Sequence, residues 1–236
     1  MRSIAYTIWQ NDMVGLKLWL KYYSKYFDRI HLVCVATKPE YHPQLNKLQD
    51  TYNLTYEFQP VSLIDPDTAF KAINERQRRF FDSFDWVLYC NLDEFLIPDT
   101  KKYKNLKDVM KKYPLNWIAC EGFDVVQAED ENPIDFSKPY LKQRRYWIKN
   151  SNYNKVLLSR VMLEWNAGFH QVKEMDPLNS TLIKDTGLYL VHLKYADMHP
   201  QLPRDFGPQV TTYHADILGR PKEDRWLIPE EVRKFI

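Results

Sequence analysis

The sequence predicts an α/β fold: a Rossmann-type, mostly parallel sheet flanked by helices, followed by a more β-rich second half. Three observations carry this. Up to residue 90, short β-rich runs alternate with stretches of helical periodicity, as βαβ units require. The run Trp86–Cys90 is apolar at every position, which suits a strand covered on both faces. Past about residue 115 the helical periodicity nearly disappears, and strand-like runs with longer loops take over.

The elements follow in order. SIAYTIW (3–9) is the first strand. Leu16, Trp19, Leu20, Tyr23 and Phe27 recur at helical spacing and predict an amphipathic helix over 12–27. Ile30–Ala36 is a second strand, 40–52 a helix, and Leu54–Phe58 a third strand. Phe70, Ile73, Gln77, Phe80, Phe81 and Phe84 mark one face of a helix at 68–83, which leads into Trp86–Cys90. Helical periodicity returns only at 104–113. WIACEGF (117–123), YLKQRRYW (140–147), KVLLSRVML (155–163) and LYLVHLKY (188–195) read as strands. Beyond His199 the chain is rich in proline and charge and has little periodicity. One domain is expected over 1–236, with a seam near residue 115 and a tail or lid at 200–236.

Bulk properties narrow the function. The 33 basic and 31 acidic residues leave a net charge of +2, which gives no global reason to expect nucleic acid. Aromatic residues make up 15% of the chain; they read first as core filler and second as surfaces that stack on sugars or bases. Cys34, Cys90 and Cys120 are odd in number, widely spaced and set in apolar runs, so they read as buried thiols in a reduced compartment. The strand-like N-terminus has no signal-peptide core, and no stretch is apolar for long enough to span a bilayer, so a cytoplasmic protein is expected. Gly15 is the only glycine before Gly122, which counts against a dinucleotide fingerprint and a P-loop.

The chemistry concentrates where WVLYC ends in NLDEF. Ligands of open α/β sheets bind at the carboxyl ends of the strands, at a topological switch point. Alternation along a strand would point Asn91 and Asp93 the same way and Glu94 the other. Two oxygen-bearing side chains at such a tip suit Mg²⁺ or Mn²⁺, which keeps waters and takes substrate phosphates as further ligands. A solvated turn or a helix N-cap is the plain alternative. Asn74 and Gln77 share the apolar stripe of the preceding helix. They need partners there, supplied either by neighbouring backbone or by a metal loop or nucleotide.

The ordered series QNDMVGLKLWLKYYSKYFDRIHLV and NERQRRFFDSFDWVLYCNLDEFLIPD resembles the family-2-like glycosyltransferases of GT-A fold, in the branch with a D-x-D-E-F signature. That family typically reads kNE after its first strand and eWl.yh...G in the helix that follows. The corresponding residues here are Gln10-Asn11-Asp12, then Trp19 and Tyr22-Tyr23. The acidic motif of the family begins with Asp, where this chain has Asn91. Downstream, NKVLLSRVMLEWNAGFHQV and LYLVHLKY resemble its K-x-I-x-R…H segment and its later hHy strand. The resemblance covers roughly residues 4–195.

It implies transfer of a sugar from a nucleotide diphosphate sugar, a UDP-sugar first, to a glycan or other hydroxyl acceptor, with any membrane association peripheral and made through that acceptor. Residues 1–115 would bind the donor, and 116–199 would close the metal and acceptor side. Asp93 would be the main ligand of Mn²⁺ or Mg²⁺, with Asn91 assisting. Asn11 and Asp12 would lie near the nucleoside, and His170 or His192 would approach the metal or the diphosphate. His192 is assigned to the metal, since metal geometry needs a rigid strand, and His170 to the diphosphate or the acceptor. Lys155, Arg160 or Arg144 would stabilise the leaving diphosphate. Glu121 and Asp124 are the nearest acids for taking the acceptor proton, and both also read as surface loop acids. Two other classes use the same residues: a metal-dependent phosphohydrolase or nucleotidyltransferase, and a catalytically inactive nucleotide- or sugar-binding module.

Overall fold

The computed structural model describes residues 1–59, 66–165, 172, 186–194, 196 and 224–236, with backbone alone at 66–70. In chain order the elements are β1 (Ser3–Trp9), α1 (Met13–Tyr23), β2 (Arg29–Val35), α2 (His42–Thr51), β3 (Leu54–Gln59), α3 (Pro66–Phe81), β4 (Trp86–Tyr89) and β5 (Glu94–Pro98). Then come α4 (Leu106–Lys112), β6 (Trp117–Ala119), β7 (Glu121–Val126), β8 (Tyr146–Lys149), β9 (Val156–Ser159), β10 (Leu188–His192), β11 (Arg225–Leu227) and α5 (Glu230–Arg233).

The strands form two sheets, one ordered β3-β2-β1-β4-β9-β6 and the other β11-β8-β7-β10-β5. In the first, β1 to β4 are parallel, as the alternating strand and helix signals require, and β9 joins β4 antiparallel. The chain walks outward from β1 to β3, then returns through α3 to the other side of β1. That reversal makes the cleft between the carboxyl ends of β1 and β4 a topological switch point. The buried cluster draws on both sheets, from Ile4 and Val87 in the first to Val125 and Leu190 in the second.

Local chemistry explains most boundaries. Asp12 caps α1 by accepting the Gly15 N–H at 2.8 Å, and the helix buries Leu16, Trp19, Leu20, Tyr22 and Tyr23. It stops at Tyr23 rather than at residue 27: the Lys25 and Tyr26 N–H groups turn to carbonyls three residues back, Tyr22 and Tyr23, at 3.4 and 2.9 Å, which tightens the chain out of the α-helix. β5, an edge strand of the second sheet, carries polar groups on its outer side that need partners. Tyr22 donates to the Leu96 carbonyl at 2.5 Å, and the Tyr23 hydroxyl accepts the Leu96 N–H at 2.9 Å and donates to the Glu94 carbonyl at 3.1 Å.

The second half departs from expectation in three places. The run 117–123 is two strands: at Cys120 the N–H turns to the Lys155 carbonyl, and the chain leaves the first sheet for the second. The run 140–147 begins as a 3-10 turn, Leu141–Gln143, because Leu141 and Arg144 are buried at a spacing of three. The end of the expected tail is folded: β11 pairs antiparallel with β8, and Ile228, Val232 and Ile236 are buried. All three cysteines are buried free thiols. No helix among the described residues is long and apolar enough to cross a membrane.

Candidate functional site

Every residue of β4 is buried, and the strand delivers the chain to a turn at the switch point. The Glu94 N–H donates to the Asn91 carbonyl at 3.1 Å, so residues 91–94 form a turn and not a continuation of the strand. Strand alternation therefore does not orient these side chains. The Tyr89 hydroxyl donates to Asn91 Oδ1 at 2.7 Å. Glu94 turns inward: its Oε2 accepts the Asn91 N–H at 3.3 Å, and its Oε1 pairs with Lys155 Nζ at 2.6 Å. Both partners of that ion pair are at most 2% exposed. Asp93 stays at the rim, 27% exposed, with its carbonyl accepting the Leu193 N–H at 2.8 Å.

Two registers bring His192 to this turn. Antiparallel pairing of β5 and β10 sets His192 opposite Glu94, and parallel pairing of β7 and β10 sets it opposite Asp124. Its Nε2 lies 3.3 Å from Asp93 Oδ2, and its Nδ1 lies 2.6 Å from Asp124 Oδ1. Behind it, Asn150 Nδ2 donates to Asp124 Oδ2 at 2.6 Å. The ring of Tyr153 stacks on the imidazole with centroids 4.0 Å apart. Glycine is required at 122 for this stack, since a Cβ there would meet Tyr153 Cβ at 2.4 Å and its carbonyl carbon at 2.5 Å. Burial alone would lower the His192 pKa. The two carboxylates, Asp93 and Asp124, outweigh it and push the group up to about 9.

Asp93 and His192 are placed to reach one divalent cation, the carboxylate as an oxygen ligand and the imidazole as a nitrogen ligand. Adjacent ligands of an octahedral ion with bonds of ~2.1 Å sit about 3 Å apart, close to the separation found here. A carboxylate on the second ring nitrogen is the usual support of a metal-bound histidine, because it fixes the tautomer and the ring plane. Among the described residues no group of three or more His, Cys, Asp and Glu side chains surrounds a single point. Two protein ligands with waters and phosphate oxygens completing the shell is the mode Mg²⁺ favours.

The structure sorts the other candidates. Asn11, at φ 56°, staples the loops after β1 and β2: its Nδ2 donates to the Ala36 carbonyl at 2.9 Å, and its Oδ1 accepts the Lys38 N–H at 3.0 Å. Asp12 is the helix cap. Gln77 is fully buried, and its Oε1 accepts the Leu163 N–H at 3.1 Å, while its Nε2 and Asn74 Oδ1 have no hydrogen-bond partner among the described residues. Lys155 is consumed by Glu94. Arg144 is buried against the carbonyls of Asn132, Gln143 and Ala196.

Arg160 does not join the site. It stacks on Trp86 at 4.5 Å and donates to the Met110 carbonyl, at the start of β4 and roughly 15 Å along the strand from Asn91. An open groove of about 810 Å³ lies at that far end, lined by Met1, Phe84, Trp86, Lys111 and Arg160, away from Asp93. Glu121 and Asp124 are three residues apart on β7 and so face opposite sides. Glu121 pairs with Lys149. Asp124 is 1% exposed and occupied on both oxygens, so it orients His192 and cannot receive an acceptor proton. His170 lies outside the described residues.

Tyr89, Asn150 and Tyr153 were not among the candidates from sequence. The asparagine-rich stretch KNSNYNK (149–155), ahead of the expected strand and ending on Lys155, was the available signal.

No protein-family model matches the chain, and no curated protein matches it. Among solved structures it is similar to S. aureus TarS, with a TM-score of 0.39 and 10% identity over 68% of this chain and 28% of that one. It is also similar to S. aureus TarS 1–349, with a TM-score of 0.42 and 9% identity over 82% and 58%, and to the same segment in complex with UDP-GlcNAc, with a TM-score of 0.40 and 11% identity over 68% and 45%. The chain thus spans less than two thirds of the length of each of these structures.

Proposed function

We propose that the protein is a metal-dependent glycosyltransferase of the D-x-D-E-F type. It moves a sugar from a nucleoside diphosphate sugar, UDP-sugars first, to a hydroxyl of a glycan or similar acceptor. One observation carries the reading: Asp93 and His192 converge at the switch point between β1 and β4, with Asp124 holding the far nitrogen of the ring. Mg²⁺ or Mn²⁺ held by Asp93 and His192 would supply positive charge to the leaving diphosphate. The chain's own residues do the rest of the positioning. Asn150 fixes Asp124, Asp124 fixes the imidazole tautomer, and Tyr153 covers the ring. The Glu94–Lys155 pair sets the turn from which Asp93 projects.

Thermal melting against UDP, GDP and ADP, each with and without Mn²⁺, tests this. Saturation at a hundredfold over Kd adds about 2.7 kcal/mol, or roughly 5–10 °C for a protein of this size. One diphosphate should raise Tm more than the others and further with Mn²⁺ than without it, and the sugar nucleotide of the same base should release its sugar in the presence of an acceptor. Melting indifferent to every diphosphate, or turnover of simple phosphate esters instead, would overturn the assignment.

A further inference from the structure

Asn91 stands where the resembled family carries its first acid, and its amide is held in one orientation. The Tyr89 hydroxyl, on a fully buried ring, donates to Oδ1 at 2.7 Å. That bond fixes Oδ1 and so directs Nδ2 the other way, across the Cβ–Cγ axis; the hydrogen bonds of Asn91 among the described residues use its Oδ1, its backbone N–H and its carbonyl, and none uses Nδ2. The side chain is half-buried at the mouth of the turn, next to the partly exposed Asp93. A metal ion would have to share Oδ1 with the Tyr89 hydroxyl. An anion would need the N–H group, which is free to donate. The three cations first expected to meet a diphosphate are engaged elsewhere, Lys155 on Glu94, Arg160 at the far end of β4 and Arg144 on backbone carbonyls.

We propose that Asn91 is a hydrogen-bond donor to a diphosphate oxygen of the nucleotide and not a metal ligand. The proposal rests on the nucleotide-sugar reading above and changes how the turn divides its work. Asp93, with His192, takes the cation, and Asn91 takes the anion directly. An acid at 91 would be acceptor-only and would set a third carboxylate beside Asp93 and Glu94, repelling a diphosphate whenever the cation is absent. The neutral amide gives the turn affinity for the nucleotide before the cation arrives.

Calorimetric titration of UDP and of inorganic pyrophosphate, each in EDTA and in Mn²⁺, tests the proposal, together with Mn²⁺ titration in the absence of nucleotide. Loss of one hydrogen bond to a charged oxygen should weaken UDP and pyrophosphate about tenfold in EDTA for Asn91→Ala, with Mn²⁺ affinity unchanged. Asn91→Asp should weaken both anions further in EDTA while tightening Mn²⁺. Tyr89→Phe, which keeps the amide but frees it to rotate, should give an intermediate loss for both anions and leave Mn²⁺ binding alone. Two results would overturn the inference by itself: Asn91→Ala lowering Mn²⁺ affinity without nucleotide, or Asn91→Ala binding UDP and pyrophosphate as wild type does. Wild-type protein that binds neither anion in either buffer would remove the nucleotide-sugar reading as well.

Discussion

Asp124→Asn probes the clamp on His192 through the pH dependence of stability in the metal-free protein. The imidazole is faced by Asp93 from the 91–94 turn, by Asp124 from β7 with Asn150 behind it, and by the Tyr153 ring. Its rise from 6.5 to about 9 corresponds to roughly 3 kcal/mol favouring the protonated ring, at 1.36 kcal/mol per pKa unit. Since the folded value lies above the unfolded one, this stabilisation is fully present below pH 6.5 and is lost as pH rises through about 9.

The buried thiols add their own loss of stability toward pH 9, the same in wild type and variant, so it is the difference between the two proteins that reports His192. Burial pushes the thiols of Cys34 and Cys120 up to about 12 and holds the His31 pKa below its usual value. Urea unfolding in EDTA should therefore show wild type losing at least about 3 kcal/mol between pH 6.5 and 9, and Asp124→Asn losing roughly 1.5 kcal/mol less than wild type. Mn²⁺ affinity should move the other way with pH, because a ligating ring must first give up its Nε2 proton. It should also be ten- to a hundredfold weaker in the variant. Equal slopes in the two proteins, or wild-type stability that is flat or rises across the window, would refute the clamp.

Other substitutions separate the roles. Asp93→Ala should abolish the Mn²⁺-dependent rise in Tm with nucleoside diphosphate and, at pH 7, lower the metal-free Tm by roughly 3–6 °C, since it removes one of the two carboxylates that hold the protonated His192 ring; a retained rise would place the cation elsewhere. Glu94→Ala should cost about 3–5 kcal/mol in urea unfolding, because it strands the buried Lys155 ammonium; a loss under about 1 kcal/mol would mean that the pair does not hold the turn. Arg160→Ala should leave UDP affinity within about twofold of wild type, because the guanidinium lies at the opposite end of β4; a tenfold loss by calorimetry would put the nucleotide at that end.

What could be read beforehand was what local composition controls. The apolar run Trp86–Tyr89 announced a doubly covered strand, and the α1 stripe and the acid-rich turn were plain in the residue spacing. β5 escaped notice because its first residue is the charged Glu94, which counts as part of the acidic tip until Lys155 neutralises it from sixty residues away. The division at Cys120 has no local mark: Trp117 to Phe123 is uniformly strand-like, and only the partners β9 and β10 assign its halves to different sheets. The same holds for the site. Asp93 and His192 were separately visible, but Asp124 changes from candidate base to buried orienting group only through the register of β7 on β10. Arg160 fails for a related reason. β9 runs antiparallel to β4, so its last residues travel away from the turn and carry the guanidinium with them.

The place of β9 in the first sheet also has a consequence for biosynthesis. β4 has β1 on one side and β9 on the other, so its second edge stays unpaired until Ser159 has been made. At ~5–20 residues per second, the roughly 70 residues between Tyr89 and Ser159 take about 4–14 s to emerge. For that interval the nascent chain presents a short apolar edge to whatever is nearby, and Cys90 has yet to be enclosed. Slow codons or a stall between residues 90 and 159 would lengthen this exposure, whereas a delay after Ser159 would leave β4 already covered.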